Sequence, residues 1–198
     1  MELVIASNNL HKIREFREIL KVLKNNIDIS SLCNFPEYIP PEEVGKSFEE
    51  NARLKAEHAA KALNAWVLSD DSGLVVPALD GAPGILSRRY SGEDATDSEN
   101  RKKLLQELKG KNGLERAAYY ECCLALANPE GVVKVVTGIC EGLIVESERG
   151  RNGFGYDPLF LKHEYSETFA ELGESTKNRV SHRKKAIEKM LPTLERLR

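Results

Sequence analysis

Two adjacent carboxylates, Asp70 and Asp71, stand inside the apolar run VLSDDSGLVV (67–76). Side chains on a strand alternate faces, so neighbouring acids cannot both reach solvent unless the strand ends there. An unpaired buried carboxylate is costly. If the strand ends at Asp70 or Asp71, both acids lie at a sheet edge, where α/β sites form. A hard cation such as Mg²⁺ takes one or two carboxylates together with waters and substrate oxygens. One acid of the pair could hold metal while one accepts a proton from water. An Asx or Ser turn with solvated acids is the plain alternative; the apolar flanks weigh against it.

Four further stretches carry residue types suited to chemistry. ASNNLHKIREF (6–16) is a polar turn leading into a helix, with Lys12 in the first turn. Backbone N–H groups at such a junction can cradle phosphate, and a lysine there is mildly opposed by the helix dipole, which favours an anion partner. Ordinary Asn turn chemistry with a surface lysine is the alternative. EEVGKSFEEN (42–51) sets Glu42 and Glu43 before a helix, where acids suit the dipole. Asn51 and Lys55, four residues apart, share a face of that helix, and Lys55 can reach inward or snorkel out.

GFGYDP (153–158) groups two aromatics, an acid and small residues. Aromatic faces stack on nucleobases, and glycine lets backbone approach a ligand; a tight turn with core aromatics fits equally well. KNRVSHR (177–183) clusters Lys177, Arg179, His182 and Arg183. Basic runs on helices are usually solvated faces. At an expected helix start, however, the dipole disfavours them, which points to an anion or purine acceptor atoms nearby.

The elements that must position these residues follow from periodicity. LVIA (3–6) predicts a buried strand. It breaks at Ser7-Asn8-Asn9 and is followed by a helix with Ile13, Phe16, Leu20 and Leu23 on one face, half of an α/β unit. Residues 26–46, with Pro36, Pro40 and Pro41, predict mostly extended chain or loop. Ser47 with Glu50 three residues on has capping-box spacing and opens a helix whose inner stripe is Phe48, Ala52, Ala56, Ala59 and Leu63. AWVLSDD (65–71) is the next strand, and LVVPALDGAPG (74–84) ends in a turn cluster. A charged helix spans 97–109 with Leu104, Leu105 and Leu108 inward. AAYYECCLALA (117–127) and VVKVVTGICEGLIV (132–145) flank the turn sequence NPEG and predict a long antiparallel hairpin. GRNGFGYDPLFL (150–161) runs from a glycine-rich loop into a strand. Ser181 caps a last helix with Ile187, Met190, Leu191 and Leu194 inward, which Pro192 kinks or restarts.

Composition bounds the function. The 198 residues suit one domain or two small lobes, and 41% hydrophobic content is ordinary for a globular chain. A net charge of −2 argues against a general polyanion binder. A small anionic ligand needs only a few local cations and stays open. Cys33, Cys122, Cys123 and Cys140 form no CxxC pair and are expected to be reduced core thiols of a cytosolic protein. No signal peptide or bilayer-length apolar run is expected.

Taken together and in order, ASNNLHKIREF, EEVGKSFEENARLKA, SDDSGLVV, LDGAPGILSRRYSGEDATD, GFGYDPLF and KNRVSHR make the chain resemble the inosine triphosphate pyrophosphatase family, the Ham1-like house-cleaning nucleoside triphosphatases. The resemblance runs nearly end to end. Asn8 stands where many members carry Gly, a turn position Asn tolerates.

The resemblance implies an α/β fold: a long twisted mixed β-sheet flanked by helices, two lobes around a central cleft, in a single 1–198 nucleoside triphosphate pyrophosphatase domain, usually a homodimer. It implies Mg²⁺-dependent hydrolysis of inosine, deoxyinosine and xanthosine triphosphates between the α and β phosphates, giving monophosphate and pyrophosphate in the cytoplasm, with neither nucleic acid nor membrane as partner. By the same resemblance, Ser7, Asn8, Asn9, Leu10, His11 and Lys12 hold the phosphate chain, with Lys177. Glu43 and Asp71 bind the metal, and Asp71 also accepts the proton of the attacking water, with Asp70 in support. Ser72 contacts substrate. Phe154 stacks on the purine, with Gly155, Tyr156 and Asp157 shaping the base pocket, and His182 and Arg183 donate to the 6-oxygen edge.

Two rivals remain. A Mg²⁺-dependent phosphatase releasing orthophosphate would use paired Asp, but no DxD nucleophile arrangement is present. A nucleotide-binding regulator without turnover could dispense with the acids, which are retained beside Ser72.

Overall fold

The computed structural model describes residues 2–23 and 27–197. One mixed six-stranded sheet carries the chain, with strands in the order β2-β1-β3-β4-β5-β6. The strands are β1 (Glu2–Ile5), β2 (Asp28–Ser31), β3 (Trp66–Val75), β4 (Ala117–Asn128), β5 (Gly131–Ile144) and β6 (Phe160–Lys162). The helices are α1 (Leu10–Leu20), α2 (Phe48–Leu63), α3 (Asp97–Glu107), α4 (Glu174–Val180) and α5 (His182–Leu194). β1 runs parallel to both β2 and β3, whereas β6 is antiparallel to β5. The expected α/β class and mixed sheet are present.

The chain divides into two compact units. The first comprises Met1–Asp71, Cys122–Gly138 and Arg183–Arg198; the second comprises Ser72–Glu121 and Ile139–His182. The first unit closes over Leu3, Ile5, Phe16, Leu68, Leu124, Ile187 and Met190. Phe16, Ile187 and Met190 are helical residues at the spacing that turns one face inward. α2 lies close to β3 because its inner stripe is mostly alanine: Ala52, Ala56 and Ala59 are fully buried, and the Ser69 hydroxyl donates to the Ala52 carbonyl at 2.5 Å. The second unit has its own core of Leu74, Leu104, Leu108, Tyr120, Phe160 and Phe169.

Several expectations are corrected. The segment expected to be mostly extended chain or loop from residue 26 contains a paired strand, β2, followed by a short 3-10 turn at Leu32–Asn34; Asn26 itself lies outside the described residues. DISS has too little apolar content to announce a strand, and as the outermost strand of the order it pairs on one side only. The strand of Asp70 and Asp71 does not end there but runs on to Val75. A short helix, α4, covers Lys177, so Lys177 and Arg179 lie in a last turn rather than at a helix start. There the dipole favours them, and the frustration inferred from the sequence is absent for these two. Cys33 is exposed, whereas the other three cysteines are buried, and all four are thiols rather than disulfide partners. Pro192 is carried inside α5.

The turns follow expected chemistry. Asn128 Oδ1 accepts the N–H groups of Glu130 and Gly131, closing the β4–β5 hairpin. Ser47 caps α2 through the Glu50 N–H at 3.1 Å, but the Glu50 carboxylate takes the Lys46 N–H instead of that of Ser47.

Candidate functional site

The two acids of the first unit are buried inside β3, Asp70 at 4% and Asp71 at 8% exposure. The register explains how a strand interior can hold them. Among the described residues, β1 pairs with β3 from Trp66 to Leu68. Beyond that point helical cations take over. Lys12 Nζ of α1 lies 2.9 Å from Asp70 Oδ2. Arg183, one residue into α5, contacts the same oxygen at 3.3 Å and Glu15 at 2.7 Å. The Cys122 thiol donates to Asp70 Oδ1 at 3.2 Å. Burial alone would raise the Asp70 carboxyl, but Lys12 and Arg183 outweigh it and hold the group well below the usual carboxylate range. Burial and the Asp70 charge push the Cys122 thiol well up, so it stays protonated. The anion partner that the opposed Lys12 demanded is therefore, in the first place, this chain's own Asp70.

Asp71 has a different environment. Lys55 of α2 donates to Asp71 Oδ1 at 2.9 Å, to Glu43 Oε1 at 2.8 Å and to the Asp70 carbonyl at 2.9 Å. Asn51 Nδ2 donates to Asp71 Oδ2 at 3.2 Å. Burial raises the Asp71 carboxyl, and Lys55 offsets that only in part. Burial would lower Lys55, yet Asp71 and Glu43 more than compensate and keep it charged. A single positive centre is thus already shared between Glu43 and Asp71, two oxygen donors separated by 28 positions in sequence.

That arrangement fits a hard divalent cation. The donors are oxygens, and Glu43 and Asp71 are both within reach of one positive charge. Among the described residues no three His, Cys, Asp or Glu side chains converge to form a metal cage. Mg²⁺ asks for less, one or two carboxylates with water and substrate phosphate completing the shell.

At the α1 junction the backbone is less open than the sequence suggests. Asn9 caps the helix, its Oδ1 accepting the N–H groups of His11 at 3.0 Å and Lys12 at 3.2 Å. Ser7 Oγ accepts the Asn9 N–H. Asn8, Asn9, Leu10 and His11 are exposed, and Ser7 is half-buried.

The second unit holds the aromatic stretch. Asp157 is buried, and its Oδ2 accepts the Phe154 N–H at 2.9 Å and Lys177 Nζ at 2.7 Å. Tyr120 donates to Asp157 Oδ1 at 3.4 Å. Lys177 Nζ lies 4.8 Å from the Phe154 ring centre. The turn needs its glycine: at Gly153, with φ of +74°, a Cβ would meet Asp157 Oδ2 at 2.0 Å. Gly155 is held from both ends by α3, its N–H donating to Asp97 and its carbonyl accepting from Arg101. Tyr156 spends its hydroxyl on the Ser87 carbonyl at 2.8 Å. The His182 ring stacks on Tyr120 at 4.7 Å.

The expected site residues fall in both units. Lys177, expected by resemblance to hold the phosphates with Lys12, donates to Asp157 and lies beside the Phe154 ring in the second unit. Arg183, assigned with His182 to the base, contacts Asp70 and Glu15 in the first unit, while His182 stacks in the second. Ser72 is half-buried and opens the second unit's share of β3. Asp97, Arg101, Tyr120 and Glu15 were missed. For Asp97 and Arg101 the only sequence signal was their i,i+4 spacing on one helix.

Residues 3–193 match the Ham1 family. The chain belongs to the Ham1 family. It is 60% identical over 199 residues to the dITP/XTP pyrophosphatase of Protochlamydia amoebophila, covering 100% of both chains. It is 54% identical to the dITP/XTP pyrophosphatase of Chlamydia abortus, covering 100% of this chain and 96% of that one. Among solved structures, the Ham1 protein of Staphylococcus aureus superimposes with a TM-score of 0.86 at 42% identity over 98% of each chain. A HAM1 protein from Coxiella burnetii gives 0.89 at 39% identity over 100% of each.

Proposed function

We propose that this Ham1 protein hydrolyses non-canonical purine nucleoside triphosphates, those of inosine, deoxyinosine and xanthosine, to the monophosphate and pyrophosphate. The observation that carries the reading is the single cation position shared by Glu43 and Asp71, in a chain so close to proteins named dITP/XTP pyrophosphatases.

A triphosphate brings about four negative charges that require cations around them. Lys12, with the Ser7–His11 segment, would hold the phosphate chain, and Ser72 would contact substrate. Glu43 and Asp71 would hold Mg²⁺. When bound, it would neutralise charge on the phosphate oxygens. Asp71 would also take the proton of the attacking water, as the family resemblance implies. Water adds across the α–β anhydride, and pyrophosphate leaves with the bond's electron pair.

For the base, Phe154 would stack on the purine within the pocket shaped by Gly155, Tyr156 and Asp157. Lys177 would hold the phosphate chain with Lys12, and His182 and Arg183 would donate to the 6-oxygen. Adenine places an amine where hypoxanthine and xanthine have an acceptor oxygen, and a buried donor facing donors is expensive. Homodimerisation and a cytoplasmic location complete the proposal. Among the described residues no helix is long and apolar enough to cross a membrane.

The deciding experiment is product analysis on purified protein with Mg²⁺ and inosine, guanosine or adenosine triphosphate. Pyrophosphate with inosine monophosphate, the other two nucleotides being much slower, is expected. Orthophosphate as product, or tight binding without turnover, would overturn the reading.

A further inference from the structure

Asn51 lies in the first turns of α2, 1% exposed, and both ends of its amide are engaged. Oδ1 accepts the Gly45 N–H at 2.8 Å, and Nδ2 donates to Asp71 Oδ2 at 3.2 Å. The partners settle which end is which: an N–H needs the amide oxygen, and a carboxylate needs the amide NH₂. Gly45 is two residues from Glu43. One side chain therefore ties the loop that carries the first carboxylate to the second carboxylate.

The surroundings leave this tie little play. A Cβ at Gly45 would come within 2.5 Å of Asn51 Oδ1 and 2.9 Å of the Asn51 backbone nitrogen. The other oxygen of Asp71 is taken by Lys55. A carboxylate held at one oxygen by an amide and at the other by an ammonium has its plane fixed, and with it the direction of its lone pairs. No other short polar side chain does both tasks. Aspartate would keep the Gly45 bond but set acceptor against acceptor at Asp71, and leucine would serve neither.

We propose that Asn51 is a positioning residue for hydrolysis: it sets the orientation of Asp71 and its placement relative to Glu43, and so the geometry in which the two carboxylates take a divalent cation and a water. The proposal rests on the reading of Glu43 and Asp71 given above. Its predicted signature is specific, because misaiming a carboxylate slows the step that uses it without weakening contacts made to the nucleotide elsewhere.

The test uses Asn51→Leu and Gly45→Ala in the full chain. The first deletes the amide; the second presses on it from the opposite side. Two quantities are read: kcat and KM for inosine triphosphate, and Mn²⁺ affinity of the nucleotide-free enzyme, followed by the loss of the free-ion electron paramagnetic resonance signal. Both variants are expected to lower kcat by about 10- to 100-fold and to weaken Mn²⁺ binding several-fold, as mis-set supporting groups do, with KM little changed. Where Asn51→Leu lacks a cooperative melt, Gly45→Ala decides. Folded variants with wild-type Mn²⁺ affinity overturn the proposal, as does a raised KM at unchanged kcat. Should the wild type make no pyrophosphate, the functional reading fails on that count, and the Mn²⁺ titration still decides the role of Asn51.

Discussion

Asp70 and Asp71 are neighbours in one strand with opposite environments. Asp70 is enclosed by Lys12, Arg183 and the Cys122 thiol; Asp71 meets Lys55 and Asn51. The first is a structural ion pair and the second is the group left with raised basicity. Asp71→Asn should cut turnover by at least about 100-fold, the usual scale for losing a general base, while still unfolding in one cooperative melt. A variant retaining near-wild-type pyrophosphate release would remove Asp71 from that role. Asp70→Ala should act on stability, since it leaves the buried Arg183 and the half-buried Lys12 without their shared carboxylate. Breaking such a pair costs about 3–5 kcal/mol, and a urea midpoint equal to that of the wild type would contradict it. The residue pattern left the division between the two acids open, and the family resemblance alone gave Asp71 the catalytic role with Asp70 in support. The partners of Asp70 come from positions 12, 122 and 183, and no local pattern records which cation will reach which oxygen.

At the scale of elements, three helices deliver the charges and one loop is set by a fourth. α1 brings Lys12 and Glu15, α2 brings Asn51 and Lys55, α5 brings Arg183, and α3 holds Gly155 through Asp97 and Arg101. The α1 cap is local and was legible as a polar turn before an amphipathic run. Asn9→Ala should cost about 1 kcal/mol, as loss of an N-cap does, measured as a drop in the denaturant midpoint at constant slope; no change would show that the cap adds nothing to stability. α2 and the β4–β5 hairpin were legible because their apolar periods are long. β2 and α4 were not: DISS and ESTKNRV are short and polar, and each is stabilised by what it packs or pairs with. Because α4 forms, Lys177 and Arg179 meet the helix dipole at its favourable C-terminal end rather than at a helix start.

At the scale of the whole molecule, stability should fall in alkali for a reason that can be traced. Burial, then the neighbouring Tyr90 and Asp97, push the Tyr156 phenol well above its ordinary value. The unfolded chain therefore releases this proton first, so the stabilisation is full below about pH 10 and is lost as pH rises past it. Tyr156→Phe should flatten that part of the profile, and parallel profiles for the two proteins would exclude Tyr156 as the cause. The amino-acid sequence by itself determined the α/β class, most of the elements, the apolar faces and six ordered stretches specific enough to indicate the family, because these depend on periodicity and on residue type at short spacing. Tertiary structure alone decided that Asp70 is a structural anion, that Lys55 bridges Glu43 and Asp71, that Lys177 answers Asp157 and that Asn51 ties two distant carboxylates together. Those outcomes turn on distances of a few ångströms between residues far apart in the chain. At that range electrostatics and hydrogen bonding depend on where the packed helices and strands place each atom, which the order of residues along the chain does not display.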